Sequence, residues 1–142
     1  MTALSDADRE LIEAASEAIR RRYRYDWQEV GAALRTRSGK VFTGVSLDAY
    51  LGRMAVCAEA VALGQAITVA GEFGIEMVVA VRHPPPEEKD RPIVVVSPCG
   101  ACRELIWDYD RNAYVIVPGD NSPEVVRISD LLPNKYSRER GN

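Results

Sequence analysis

Three cysteines and one glutamate carry the chemistry in this sequence. Cys57 stands two residues before Glu59 in the run Cys57-Ala58-Glu59. Cys99 and Cys102 sit in Pro98-Cys99-Gly100-Ala101-Cys102. Both runs fall where a helix is expected to begin, and there unpaired backbone N–H groups and the positive end of the helix dipole stabilise a thiolate. Three thiolates with no fourth cysteine make an incomplete structural zinc site, because structural zinc is normally closed by four protein ligands. An open fourth position is what catalysis uses, since a water held there has its pKa lowered from 15.7 toward ~7 and needs a proton carrier close by. Glu59 is the candidate. Residues i and i+2 of a regular helix diverge, so Cys57 and Glu59 converge on one metal only if Cys57 lies at the very start of the helix. The single histidine, His83, stands at the mouth of a proline-rich loop and reads as a surface residue rather than a fourth ligand.

These residues have to be positioned by a small fold. With 142 residues, one domain spanning 1–142 is expected. Its 46% hydrophobic and 27% charged residues describe an ordinary globular protein. The 18 basic and 21 acidic residues give a net charge of -3, which makes polymeric nucleic acid a poor partner. No apolar stretch approaches the ~20 residues that span a bilayer, and the opening residues MTALSDADRE do not resemble an export signal. A cytoplasmic protein with reduced cysteines and no membrane partner is therefore expected.

Ser5 and Asp8 have capping-box spacing, and apolar residues from Leu4 to Ile19 recur at helical intervals up to Arg20-Arg21-Arg22. Glu29–Leu34 and Lys40–Val45 read as a hairpin around Ser38-Gly39. Ala55–Ala70 reads as a buried helix stopped by Gly71. Ile75–Val81 and Ile93–Val96 read as strands covered on both faces, with an irregular exposed loop His83–Pro92 between them. Gly100–Tyr109 is helical, Ala113–Val117 a strand, and Ile128–Leu132 a short terminal helix. This order predicts an α/β protein with one mixed sheet of about five strands and helices on its faces. Strands joined through helices are expected to be parallel.

Cys57-Ala58-Glu59 followed by Pro98-Cys99-Gly100-Ala101-Cys102 resembles the signature of the zinc-dependent cytidine deaminase superfamily, in its small three-cysteine branch. The likeness continues through Val30-Gly31-Ala32-Ala33-Leu34, Gly39-Lys40-Val41-Phe42-Thr43-Gly44 and Leu131-Leu132-Pro133, over about residues 25–136. It implies a three-layer α/β/α fold, Zn2+ held by Cys57, Cys99 and Cys102, and Glu59 as the proton shuttle in hydrolytic deamination of a cytosine-type nucleoside to its uracil form. It also implies that the Ala58 N–H and the Ser97 carbonyl hold the base. A homotetramer follows by the same likeness, with Tyr136 reaching across an interface.

The sequence departs from that pattern where Ser46-Leu47-Asp48 replaces the Asn-x-Glu that grips the ribose. It departs again at Ala60, where Arg often follows the catalytic Glu, and Arg103 is the candidate to offset thiolate charge instead. Trp27 and Gln28 stand where family members place a ring that packs on the substrate; Trp27 reads equally well as a core aromatic. Ala60 and the closing Leu131-Leu132-Pro133-Asn134-Lys135-Tyr136 look more like the blasticidin S deaminase branch. The rival reading is a non-catalytic zinc-stabilised nucleoside-binding or structural module, in which Glu59 merely complements a helix dipole. A CxxC redox protein would leave Cys57 unexplained.

Overall fold

The computed structural model describes residues 3–138. Helix α1 (Asp6–Arg22) opens the chain. Strands β1 (Val30–Thr36) and β2 (Val41–Val45) follow, then α2 (Ala58–Ala70), β3 (Ile75–Arg82), β4 (Val94–Val96), α3 (Gly100–Tyr109), β5 (Tyr114–Val117) and β6 (Glu124–Arg127). Single 3-10 turns occupy Gly52–Met54, Pro86–Glu88 and Ile128–Leu131. The strands form one sheet in the order β2-β1-β3-β5-β6, with β4 pairing with β3 beyond the end of β5.

The alternation of side chains along the strands decides which helix lies on which face. Ala32 and Leu34 of β1, Val78 and Ala80 of β3, and Val115 and Val117 of β5 pack with Ala58, Ala62 and Ala66 of α2 and with Cys102 and Ile106 of α3. The alternate residues Ala33, Met77, Val79, Val81 and Ile116 meet Leu11, Ala15 and Ile19 of α1. The result is the expected three-layer arrangement, with α1 on one face and α2 and α3 on the other.

Two close approaches fix these layers. A Cβ on Gly31 would fall 2.5 Å from the Ala15 carbonyl oxygen of α1, and one on Gly44 would fall 2.6 Å from the Ala62 nitrogen of α2. Each helix therefore lies against bare backbone.

Four expectations need correction. The sheet has six strands; β6 pairs antiparallel with β5 from Tyr114↔Arg127 to Val117↔Glu124. Helix α2 starts at Ala58 rather than Ala55, because Cys57 keeps an extended backbone (φ -70°, ψ 150°). The 83–92 loop contains a helical turn at Pro86–Glu88, which proline tolerates at a first helical position. Of the strands joined through helices, β2 and β3 run the same way through β1, but β4 and β5 oppose each other. β4 folds back antiparallel on β3 directly after the loop, whereas β5 is parallel to β3.

Candidate active site

Helices α2 and α3 begin side by side. Cys57 is the N-cap of α2 and Cys99 the N-cap of α3, both with extended backbone, and neither thiol caps its helix by hydrogen bonding. Cys102 lies in the first turn of α3 and is buried. The Cys57 and Cys99 sulfurs are 3.5 Å apart, and all three lie within 4.8 Å of one another. Ligands at ~2.3 Å from a tetrahedral zinc would be separated by about 3.8 Å, so the cluster fits the ion in size as well as in donor chemistry. Because Cys57 precedes the helical period, it and Glu59 line the same cavity, as convergence of the two requires.

Glu59 is 6% exposed and belongs to no ion pair among the described residues. Burial holds its carboxyl above the ordinary range, against hydrogen bonds from its own backbone N–H and the Cys102 thiol. The thiols are similarly perturbed. Burial pushes Cys102 far up, with Glu59 and the other two sulfurs adding to it, and burial likewise raises Cys57. Cys99, although partly desolvated, is held below the usual thiol range, because the Cys102 backbone N–H and the neighbouring thiols donate to it. A divalent cation would relieve this repulsion at its source.

The cavity has a volume of about 330 Å³, within the range of small-ligand sites. Cys57, Ala58, Glu59, Ser97 and Cys99 line it together with Trp27, Ser46 and Asp48. Ser46 is already engaged: its hydroxyl accepts from the Glu29 and Val30 N–H groups at 3.3 and 3.1 Å, tying β1's entry to the end of β2. Trp27 packs edge-on against Tyr50 at 5.3 Å between ring centroids. Tyr136 does not reach the cavity of its own chain and is exposed.

Arg103 donates to the Pro98 carbonyl at 2.9 Å and to the Leu131 carbonyl at 3.2 Å. It thus braces the Cys99 turn against the C-terminal segment. His83 is half-buried rather than a free surface residue, its ring stacked on Tyr23 at 3.7 Å and its Nδ1 2.7 Å from the Pro84 carbonyl oxygen; it is not part of the thiol cluster. Asp26 and Glu29, which no sequence motif singled out, also line the cavity. Their only signal was adjacency to Trp27.

An open three-thiol cluster with a buried carboxylate beside it, at paired helix starts under a mixed sheet, has the donor set of a catalytic rather than a structural zinc centre. Residues 5–117 match the family described as the cytidine and deoxycytidylate deaminase zinc-binding region. The blasticidin-S deaminase of Bacillus cereus is 44% identical over 135 residues, covering 95% of this chain and 96% of that protein. A probable cytidine deaminase of Dictyostelium discoideum is 33% identical over 115 residues, covering 81% and 73%. The crystal structure of cytidine deaminase from Burkholderia pseudomallei superposes with a TM-score of 0.71 at 28% identity, covering 94% of this chain and all of that one. The chain belongs to the cytidine and deoxycytidylate deaminase zinc-binding family. It is a zinc-dependent hydrolytic deaminase.

Proposed function

We propose that this deaminase acts on a cytosine nucleoside with a modified or peptidyl sugar, of which blasticidin S is the leading candidate, in preference to unmodified cytidine. The observation that carries this reading is Ser46. Its hydroxyl accepts two backbone N–H groups where a ribose-gripping side chain would be expected, so the sugar loses a selective contact. The extent of the likeness to blasticidin-S deaminase supports the same choice.

In this reading Cys57, Cys99 and Cys102 hold the metal. When bound, zinc supplies the Lewis acidity that brings a water's pKa down toward ~7. The Ala58 N–H and the Ser97 carbonyl hold the pyrimidine edge with its C4 toward the thiolates. Glu59 accepts a proton from the attacking water and delivers it to ring N3. It then moves a second proton to the departing amine, so that water and the cytosine ring become the uracil form and ammonia. One carboxylate suffices because its proton load alternates between steps, and the burial that raises its pKa shifts it toward the protonated form.

The remaining parts of the proposal concern setting. Residues 1–142 act as a single domain, consistent with one sheet covered on both faces. The free state of all three cysteines suits a reducing cytoplasm, and no helix among the described residues is long and apolar enough to cross a membrane. Exposed Leu51, Met54 and Val69 suit burial in a homotetramer, which light scattering would reveal, with Tyr136 reaching a neighbouring cavity.

The substrate assignment is tested by kcat/KM for blasticidin S, deoxycytidine and cytidine in the wild type and in a Ser46→Asn, Asp48→Glu double variant. The wild type should favour blasticidin S, and the double variant should gain on cytidine. Strong wild-type preference for cytidine, with no gain in the variant, would mean that other residues hold the sugar.

A further inference from the structure

Helix α3 supplies two of the three thiols, yet of its ten residues only Cys102 and Ile106 are buried. The chain's closing segment packs against it after β6. That segment has a firm base, since Ile128 is fully buried and its N–H donates to the Ala113 carbonyl at 2.9 Å. It then meets α3 at two points. The Leu131 carbonyl accepts from Arg103 Nη1 at 3.2 Å. Lys135 Nζ pairs with Glu104 Oε1 at 3.0 Å and Asp108 Oδ1 at 2.7 Å, and donates to the Tyr136 carbonyl at 2.8 Å.

Most surface ion pairs contribute little, but this one is not a single exposed pair. Glu104 and Asp108 lie one helical turn apart, the Lys135 side chain is 4% exposed, and its three N–H donors have three acceptors. The chain between the two points is short and stiff: Pro133 fixes its own φ, and Asn134 holds a left-handed φ of +54°, which Asn accepts more readily than most residues. Fixing Lys135 therefore limits how far the Leu131 carbonyl can drift from Arg103.

Arg103 passes that restraint to the thiols. It follows Cys102 directly, its Nε donates to the Pro98 carbonyl at 2.9 Å, and its backbone N–H donates to the Cys99 carbonyl at 3.0 Å. One residue thus joins the closing segment to both ends of the turn that carries Cys99 and Cys102. We propose that Lys135 is a positioning residue for the zinc site: by pinning the closing segment to α3 it keeps Arg103 engaged with Leu131, and so holds the Cys99 and Cys102 thiols at the separation from Cys57 that the metal needs. The inference rests on the reading that these three thiols hold zinc, and it adds a residue that is neither one of those thiols nor part of the cavity lining.

The test titrates the zinc-loaded protein with a chelator of known affinity, while circular dichroism and Tm of the same samples report the fold. Lys135→Met keeps the aliphatic stem and removes the ammonium. It should weaken zinc at least about fivefold, less than the ~10–100-fold that follows loss of a partner bonded directly to a ligand, because Lys135 acts one contact further out. A Glu104→Gln, Asp108→Asn double variant breaks the same pairs from α3 and should weaken zinc by a similar factor. Glu76→Gln, which breaks an ion pair of Arg35 beside α1, is the control and should leave zinc affinity unchanged.

Arg103→Gln should weaken zinc as well, and adding Lys135→Met to it should change the affinity by less than about twofold, because the lysine acts through the arginine. Unchanged zinc affinity in folded Lys135→Met, or an effect of Lys135→Met undiminished in the Arg103→Gln background, would overturn the proposal while leaving the deaminase reading intact. An equal zinc loss in Glu76→Gln at matched Tm would overturn it too, as a plain loss of stability. Failure of the wild type to take up zinc would instead overturn the metal assignment, and this inference with it.

Discussion

Replacing Gly44 by alanine would drive a methyl group into the first turns of α2. The added Cβ would lie 2.6 Å from the Ala62 nitrogen, 2.9 Å from the Ala58 carbonyl oxygen and 2.9 Å from the Val61 Cβ. Two of these are backbone atoms that cannot rotate away. Restoring an ordinary 3.4 Å contact moves α2 outward by about 0.8 Å. Overpacking of this kind costs roughly 1–3 kcal/mol, which at this chain length lowers Tm by roughly 3–10 °C. The same shift displaces Cys57, Ala58 and Glu59 from Cys99 and Ser97, which α3 and β4 hold in place. A misplacement near 1 Å can cost about 10²-fold in turnover.

The assay is Tm, zinc per chain and kcat on the best nucleoside. Gly52→Ala serves as the control, because no atom lies within 4 Å of a Cβ built there and its φ is not positive. The expected result is a lowered Tm with a larger loss of kcat than of zinc in Gly44→Ala, and neither change in Gly52→Ala. A Gly44→Ala protein with wild-type Tm and kcat would refute the claim that close contact of β2 with α2 places the catalytic turn.

Two further outcomes are expected. Cys99→Ala, which removes the thiol proposed as a ligand at the start of α3, should lose most of its zinc and much stability, since zinc-coupled folding is worth ~10 kcal/mol or more; full zinc retention by metal analysis would overturn the assignment. The Asp8 carboxyl is buried, which raises its pKa, but hydrogen bonds from Ser5 and pairing with Arg35 outweigh this and hold it below the usual range. Its contribution is therefore present above the ordinary carboxylate pKa and lost as pH falls through the lower folded value. Asp8→Asn should lower stability by ~1–3 kcal/mol at neutral pH and flatten the loss below about pH 4 in denaturant titrations, whereas an unchanged acid limb would contradict it.

What was legible in the sequence was what short-range chemistry determines. Ser5 and Asp8 form the capping box their spacing predicts. Gly71 ends α2 at φ +64° and Gly100–Tyr109 is helical throughout. The two cysteine runs open helices, and the thiols meet there because the starts of α2 and α3 lie side by side. Errors fall where pairing partners are distant in sequence. Strand β6 is four residues whose Val125 and Val126 carry no periodic signal, and only pairing with β5 makes them a strand. β4 reverses direction because three residues pair with the end of β3, overriding the parallel rule for helix-linked strands.

At the site, Ser46 was legible as a departure but not as a brace, because its backbone partners Glu29 and Val30 lie seventeen and sixteen residues away. Arg103 sat in the right motif with the wrong partner in view: its carbonyl contact at Leu131 is 28 residues distant. Asp26 and Glu29 entered the cavity through a turn whose left-handed residue is not a glycine, so no turn signal marked them.

The central claim is that Glu59 moves the protons of a deamination at a zinc held by three thiolates. Ammonia release by zinc-loaded Glu59→Gln, measured beside wild type on the same cytosine nucleoside, tests it most directly. The substitution keeps the side-chain volume and leaves all three sulfurs in place. One zinc per chain is expected in both proteins, with a kcat lower by at least ~10² to 10⁴ in the variant. Wild-type turnover by a zinc-replete Glu59→Gln would contradict it.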